Sequence, residues 1–252
     1  MHTDQSHWHK LQRLNVSHHG IALCLLVVQS LRIPLSLYTK APICSALVTT
    51  FIITEAFGHA KSPIRFCVSL QSLIIKAKWY NIFVSHFCHV NEWHLYHNLT
   101  GFIRHAVYME KMIGCKNLIK VLVDLLFRSQ LFHLILNNVL YIWTSDEGYA
   151  NDCYIGISGL VFAINVLSNF SIKGHWEVAT PLGTRLHISK SLIAWLDLFL
   201  IQFPIPTSSF VGHCAGVLAG LSYKTAYFEK YGPINFNELE RLEDTDEQTS
   251  SH

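Results

Sequence analysis

Three short motifs carry residue types that could hydrolyse a peptide bond. Ser158 lies in the run Gly-Ile-Ser-Gly, and His213 lies in the run Gly-His-Cys-Ala-Gly. A neutral histidine beside a serine hydroxyl can act as a general base and make that hydroxyl a nucleophile. His94 and Asn98, which we call the oxyanion pair, are spaced to share one face of a helix. Their side-chain N–H groups could donate to the oxyanion that forms when a serine attacks a carbonyl.

The composition indicates the environment in which these motifs must work. The 252 residues are 50% hydrophobic and only 14% charged, whereas a soluble domain is about 25% charged. Six of the ten residues in 238–247 are acidic, so the rest of the chain is poorer still in charge. The net charge is +2 and no basic stripe is present, which argues against nucleic-acid binding. The composition therefore excludes an ordinary soluble enzyme and a disordered chain, and it favours an integral membrane protein.

Several apolar segments approach the roughly 17–25 residues with which a helix crosses a bilayer. We predict an all-α, polytopic membrane protein whose six-helix bundle occupies residues 41–228. A cytosolic N-terminus (1–40), with an interfacial apolar run at 20–37, precedes it, and an acidic cytosolic tail (229–252) follows. The six predicted spans are 41–57, 93–113, 118–143, 154–170, 189–203 and 208–228.

The distribution of Lys and Arg predicts the orientation of these spans. The short loops 144–153 and 204–207 contain neither residue type, and cytosolic loops are the ones enriched in both. Both termini are therefore predicted to be cytosolic, so the second, fourth and sixth spans begin on the non-cytosolic side. Ser158 and His213 would lie roughly 6–8 Å below the starts of their spans. The oxyanion pair lies in the first turns of the second span, which brings all the candidate groups to a similar depth.

Glycine spacing predicts how the serine and the histidine could meet. Gly212, Gly216 and Gly220 follow the small-xxx-small pattern that lets two helices approach closely, and Gly156 and Gly159 offer a matching smooth surface beside the serine. Such a ridge is usually packing alone, and a lone serine or histidine in a membrane helix is usually structural. Ser158, His213 and the oxyanion pair nevertheless occur together at a similar depth, and this joint occurrence favours a Ser–His dyad.

The remaining polar residues support weaker interpretations. Asp124 and Arg128 predict a mutually neutralising i,i+4 pair, and Asp197 has no evident partner. The seven cysteines are odd in number and widely scattered, so they predict no disulfide framework. Histidines at 86, 89, 94 and 97 raise the alternative of a metal site, but their spacing fits no standard one. We therefore predict no metal and no organic cofactor.

In their order along the chain, these motifs resemble the rhomboid family of intramembrane serine proteases. The resemblance covers roughly residues 41–228. It rests on the combination of elements, since each element alone is common. The matching elements are HxxxN at 94–98, ExxxG at 110–114, GxSG at 156–159 and GHxxGxxxG at 212–220.

The resemblance implies roles for particular residues. Ser158 and His213 would form the catalytic dyad, with the oxyanion pair stabilising the intermediate. Phe162 occupies the position at which many bacterial members have a tyrosine stacked beneath the histidine, so a supporting role is implied for it. Gly156, Gly159, Gly216 and Gly220 would support the site by close packing.

Three runs, 92–98, 156–163 and 207–213, are similar to one branch of the family. That branch implies a location in the endoplasmic reticulum, cleavage of membrane-anchored and often unstable proteins, and contact with the degradation machinery in membrane-protein quality control. Residues 237–243 are acidic and amphipathic but lack the Ala-x-x-Ser core of a ubiquitin-interacting motif. Ubiquitin binding is therefore not expected of this segment.

Two alternatives from other classes stay open. The first is a proteolytically inactive rhomboid relative that binds client membrane proteins and routes them to degradation. Such relatives typically lack the serine or the histidine, and both are present here. The second is a channel or transporter with Asp124, Arg128 and Asp197 along its pathway, although no inverted repeat is visible in the sequence.

Overall fold

The computed structural model describes residues 24, 25, 28, 40–57, 63–171, 175–179, 184–189, 192–200 and 209–232. Apart from three positions, the predicted interfacial run at 20–37 lies outside the described residues. The acidic tail from residue 233 onward does so as well.

Long helices occupy the positions of the predicted spans. Each predicted segment coincides with one of them to within a few residues, except the fifth; in the part of 189–203 that the structure describes, the helix runs from Ile193 to Leu200. None of the helices in the described ranges is both long and apolar enough to qualify as a membrane span. The six-span count stays a prediction. The helices described are α1 (Pro42–Phe57), α2 (Asn81–Val84), α3 (Glu92–Ile113), α4 (Cys115–Thr144), α5 (Glu147–Asn151), α6 (Ser158–Ser171), α7 (Ile193–Leu200) and α8 (Phe210–Tyr231).

The structure is mostly helical, in agreement with the all-α prediction, and one short β-hairpin lies between α6 and α7. Strand β1 (His175–Ala179) pairs antiparallel with β2 (Arg185–Ser189), and Trp176 lies opposite Ile188. Both strands alternate polar and apolar residues, which is the period of a half-buried strand. Residues 181–183, Pro-Leu-Gly, carry the turn signal between them. The alternation is only five residues long in each strand, so the long apolar runs around it obscure it.

Helices α3, α4, α6 and α8 form the centre of the molecule. Their facing sides are largely apolar, and burial of these apolar side chains against one another is the main stabilising contribution, although each of the four helices also buries polar residues. The outer face of α4 is apolar too, at every fourth residue from Ile119 to Leu131. A large exposed apolar face of this kind is typical of a membrane-interaction surface. The buried central side chains include Leu95, Leu99, Phe102, Leu118, Leu125, Ile157, Leu160, Leu167 and Tyr227.

Glu110 fastens α1 to the centre. Its carboxylate is buried and accepts hydrogen bonds from the backbone N–H groups of Ile43 and Cys44, each at 2.8 Å. The first N–H groups of a helix have no partner within that helix, and a carboxylate there also complements the helix dipole. The Cys115 thiol donates to the same carboxylate at 3.2 Å. Glu110 thus joins the start of α1, the end of α3 and the start of α4.

The connection between α1 and α3 is folded against the centre. Val68 and Tyr154 exchange two backbone hydrogen bonds, at 3.0 and 2.8 Å. The side-chain amide of Gln130 on α4 donates to the carbonyl of Ile82 at 2.9 Å. The connection is therefore held both to α4 and to the segment that precedes α6.

A disulfide joins Cys67 to Cys153, with Cα atoms 5.4 Å apart. The sequence predicts no disulfide framework and does not anticipate this single pair; the other five cysteines are free. The two residues are 86 positions apart in the chain, and such a pairing cannot be deduced from spacing alone. It fastens the α1–α3 connection to the segment that leads into α6.

Candidate active site

Ser158 is the first residue of α6, and the backbone just before it has a conformation that favours glycine. Gly156 has φ +87°, and its N–H donates to the carbonyl of Ser85 at 2.9 Å. A Cβ atom at this position would lie 3.1 Å from the ring of His89 and 3.3 Å from the ring of His94. Glycine is needed here both for its positive φ and for the space it leaves. The turn that leads into Ser158 therefore packs against the imidazole rings of His89 and His94 at Gly156.

His213 lies in the first turn of α8 and is buried. Ser209 caps the helix, because its hydroxyl accepts a hydrogen bond from the backbone N–H of Gly212 at 2.9 Å, as predicted for this type of residue at a helix start. The imidazole lies against the ring of Phe162, with ring centroids 4.6 Å apart and planes inclined by 32°. Phe162 is one helical turn after Ser158, so it bridges the helix of the serine and the helix of the histidine.

Helices α6 and α8 meet through their glycines. A Cβ atom on Gly216 would lie 2.8 Å from the Cα of Gly159, and one on Gly220 would lie 2.7 Å from the Cβ of Val166. These distances leave no room for a side chain, so the backbones are in direct contact, as the small-xxx-small pattern predicts. The contact at Gly159 is one residue from Ser158, which brings the serine beside the first turn of α8.

The dyad is not hydrogen-bonded in this conformation. No Ser158–His213 hydrogen bond is present in the described part of the chain, and Nδ1 of His213 has no partner. Catalytic hydrogen bonds often tighten only when a substrate is bound. No carboxylate holds the imidazole from behind in the described ranges, and the ring of Phe162 occupies one of its faces.

The oxyanion pair lies at the start of α3. Asn91 caps this helix and accepts a hydrogen bond from the backbone N–H of His94 at 2.8 Å. Nε2 of His94 and Nδ2 of Asn98 are buried and have no hydrogen-bond partner. An unsatisfied buried polar group costs about 1–3 kcal/mol, so each such group calls for an explanation. Two orphaned nitrogens that line the same cavity as His213 are suited to receive an oxyanion.

His89 is a neighbour of the site that the motifs did not single out. Its ring contacts His94 edge-on, with centroids 5.5 Å apart, and its Nε2 is also buried without a partner. Burial, together with His94 and His86, lowers the pKa of His89 well below its usual range. Its only sequence signal was its place in the histidine run at 86–97. Within the described residues, no three His, Cys, Asp or Glu side chains are arranged to hold a metal ion.

A cavity of about 340 Å³ extends from the site between α3, α6 and α7. Asp197 on α7 lines this cavity. The sequence suggests no partner for it, but Asn165 donates a hydrogen bond to its carboxylate at 2.8 Å. The wall combines both members of the oxyanion pair with polar groups deeper along α3. Its lining residues include His94, His97, Asn98, Arg104, Phe162, Asn165, Asp197 and His213.

The predicted pair of Asp124 and Arg128 is present on the outer side of α4. Arg128 donates to Asp124 at 2.8 Å, one helical turn away on α4. The prediction of an i,i+4 pair is confirmed. Arg128 also reaches the hydroxyl of Ser222 on α8 at 3.4 Å, so the pair belongs to the α4–α8 contact and lies apart from the cavity.

The helical fold, the glycine contact between α6 and α8 and the order of the motifs define one class of protein. The Rhomboid domain family matches residues 76–230, and the chain belongs to the rhomboid family. Membership of this family supports an integral-membrane location.

Individual relatives are more distant. The chain is 27% identical to Rhomboid-related protein 4 of Mus musculus over 164 residues, which is 65% of this chain and 51% of that protein. It is 32% identical to the mitochondrial Rhomboid-like protein 14 of Arabidopsis thaliana over 143 residues, 56% of this chain and 41% of that one. The human Rhomboid-related protein 4 is 26% identical over 65% of this chain. The chain spans about half the length of the curated relatives it matches.

Proposed function

We propose that this protein is an intramembrane serine endopeptidase that cleaves membrane-anchored proteins. The observation that carries the proposal is the contact between α6 and α8, which stacks Phe162 on His213 one turn from Ser158. His213 and two orphaned side-chain donors, those of His94 and Asn98, line the same cavity. Each of these groups has a role in acyl transfer.

The reaction follows from the positions of these groups. Ser158 Oγ attacks a backbone carbonyl of the substrate while His213 takes the hydroxyl proton. The tetrahedral oxyanion accepts hydrogen bonds from Asn98, from His94 and from the backbone N–H of Ser158, which heads its helix. His213 then gives the proton to the leaving amine. Water attacks the acyl-enzyme by the same route and frees the serine.

Phe162 takes over part of the work that an aspartate does in a soluble triad. The aspartate of a triad holds the imidazole in place and stabilises its charged form. A ring packed against His213 restricts its orientation, and an aromatic face also attracts a cation. We therefore assign Phe162 a positioning role, with Gly156, Gly159, Gly216 and Gly220 supporting the site by close packing.

The substrate is proposed to be a protein with a transmembrane segment that unwinds near the site. A helical peptide bond is hydrogen-bonded and sterically shielded, so an extended stretch must reach the serine. We propose that the protein lies in the endoplasmic reticulum membrane with both termini cytosolic. There it would act on membrane proteins in quality control. This part rests on the resemblance of the runs 92–98, 156–163 and 207–213 to one branch of the family, and the orientation rests on the distribution of Lys and Arg.

A cleavage assay in proteoliposomes tests the proposal. The substrate is a single-span protein with a Gly-Ser patch near its non-cytosolic face, and the variants are Ser158→Ala and His213→Ala. Thr225→Ala, at an exposed position on α8, is the matched control. We expect cleavage by the wild type and the control, and none by the two dyad variants.

Equal cleavage by wild type and Ser158→Ala would overturn the proposal. Substrate retention without cleavage in all four proteins would instead favour an inactive, client-binding relative. Ion or solute flux that depends on Asp197 but not on Ser158 would favour a channel or transporter.

A further inference from the structure

Asp152 occupies the short connection between α5 and α6, and its carboxylate touches several elements at once. Helix α6 begins only at Ser158, so Asp152 does not cap that helix. Its Oδ2 atom accepts hydrogen bonds from Ser209 at 2.7 Å and from Asn137 at 3.2 Å, and its Oδ1 atom accepts one from the backbone N–H of Cys153 at 3.1 Å. The carboxylate of Asp152 therefore links the start of α8, helix α4 and the chain at Cys153.

One of these contacts leads to the histidine of the dyad. The Ser209 hydroxyl donates to Asp152 and accepts from the backbone N–H of Gly212, the residue before His213. A hydroxyl has one hydrogen and two lone pairs. Its hydrogen is committed to the carboxylate, so a lone pair is turned toward the helix N–H. Asp152 thus fixes the cap that holds the first turn of α8.

The other direction leads to the serine. Residues 153–157 are all that separate the carboxylate from Ser158, and they are held along their length. Cys153 is disulfide-bonded, Tyr154 exchanges backbone hydrogen bonds with Val68, and Gly156 donates to Ser85. If Asp152 moved relative to α8, Ser158 would therefore be expected to move with it.

Two buried residues of helix α4 also contact Asp152. Asn137 and His133 lie one turn apart on α4 and are 1% and 0% exposed. Nε2 of His133 lies 3.4 Å from the carbonyl oxygen of Asp152. Two buried side chains of α4 thus contact Asp152, Asn137 at its carboxylate and His133 at its backbone carbonyl.

We propose that Asp152 is a positioning residue that sets the separation of Ser158 and His213, by tying the start of α8 to the segment leading into α6. The glycine contact fixes the two helices relative to each other deeper in the bundle, and Asp152 fixes them at the open end, where the reaction takes place. The inference rests on the proposed protease function. It adds a residue that contacts neither the substrate nor the reacting atoms.

The test measures the reactivity of Ser158 directly, with a fluorophosphonate probe. The serine Oγ forms a bond to phosphorus, fluoride leaves and His213 takes the proton, so the labelling rate reports the geometry of the dyad without a protein substrate. The variants are Asp152→Ala, Asp152→Asn, Ser209→Ala and the double alanine variant. The control is Asp146→Ala, which removes a carboxylate that caps α5 through Gly148 and does not reach α8.

We expect Asp152→Ala to slow labelling about 10- to 100-fold, since a misplacement near 1 Å can cost that much. Asp152→Asn keeps an acceptor for Ser209 and should restore most of the rate. Ser209→Ala should slow labelling similarly, and the double variant should be no slower than either single one. In cleavage assays kcat should fall while KM stays unchanged.

Different results separate the possible failures. If the wild type is not labelled at Ser158, the proposed protease function fails. If the wild type is labelled and folded Asp152→Ala is labelled equally fast, the positioning role is overturned. A lower Tm for Asp152→Ala with an unchanged labelling rate per folded molecule assigns the residue to stability alone, which also overturns it.

Discussion

Phe162 lies against the imidazole of His213, with ring centroids 4.6 Å apart, and this pair joins the helix of the serine to the helix of the histidine. Phe162 is 7% exposed and belongs to a small apolar cluster with Val166 and Val217. Its ring is thus held by its own packing, and it presents a fixed surface to the histidine. The relationship predicts that the shape of residue 162 matters more than its polarity.

The first prediction concerns this surface. Phe162→Ala should lower kcat about 10- to 100-fold because the imidazole loses the wall that orients it. Phe162→Tyr keeps the ring and should stay within about 3-fold of the wild type. The measurement is cleavage of the single-span substrate in proteoliposomes, with folding checked by thermal unfolding. Equal activity of the alanine and tyrosine variants would show that the stacking has no role in turnover.

The second prediction concerns the contact between Gly216 and Gly159. Alanine is favoured over glycine within a helix by about 1 kcal/mol. Here, however, the added Cβ would lie 2.8 Å from the Cα of Gly159, which is backbone and cannot yield. Overpacking costs about 1–3 kcal/mol, so Gly216→Ala should be destabilising on balance and should also reduce cleavage.

Thermal unfolding in detergent measures this effect, with Thr225→Ala on the exposed side of the same helix as the control. The alanine variant at 216 should unfold at a lower temperature than the control. A rise in its unfolding temperature would mean that helix propensity outweighs the contact, and the close approach of α6 and α8 would then be in error.

The sequence correctly predicts those contacts that depend on residues close together in the chain. The glycine spacing on α8 and the i,i+4 pair Asp124–Arg128 are local periodicities, and both correspond to observed contacts. The partner of Asp197 could not be found in this way. Asn165 lies 32 positions away on another helix, and nothing in the spacing of either residue connects them.

The same limit explains what was overlooked. The pairing of Cys67 with Cys153 depends on how the α1–α3 connection folds back onto the bundle, which is tertiary information. The contact of His89 with His94 lies against Gly156, where a Cβ atom would be 3.1 Å from the ring of His89 and 3.3 Å from the ring of His94, and this proximity is tertiary information as well. The β-hairpin did have a local signal, the polar–apolar alternation in β1 and β2.

The third prediction concerns the disulfide. Loss of a disulfide that closes a loop of this length destabilises a protein by roughly 2–4 kcal/mol. Cys67→Ala, Cys153→Ala and mild reduction of the wild type should each lower the unfolding temperature to a similar extent. Cys88→Ala, which removes a free thiol in the same connection, is the control and should have little effect.

Non-reducing mass spectrometry of proteolytic fragments checks the pairing itself. The fragments containing residues 67 and 153 should migrate together until a thiol reductant is added. Recovery of both cysteines as free thiols from the oxidised protein would contradict the prediction.

The last prediction is a pH dependence of stability that originates at His86. Burial lowers the pKa of His86 to about 4, although its hydrogen bond to the backbone of Gly156 opposes the shift. In the unfolded chain the same group titrates near 6.5. Between these values the unfolded chain binds more protons than the folded one, so the free energy of unfolding rises as the pH increases from about 4 to 6.5. The contribution is complete above pH 6.5 and is lost as the pH falls toward 4.

His86→Gln isolates this contribution, because glutamine can still donate to the Gly156 backbone but does not titrate. Urea or thermal unfolding at several pH values from 4.5 to 7 should give a shallower pH dependence for the variant, by up to about one proton. An unchanged slope in His86→Gln would mean that His86 has the same pKa in the folded and the unfolded chain, which contradicts the prediction. The ring would then have to be hydrated, and the packing of the α1–α3 connection against Gly156 would be looser than the structure has it.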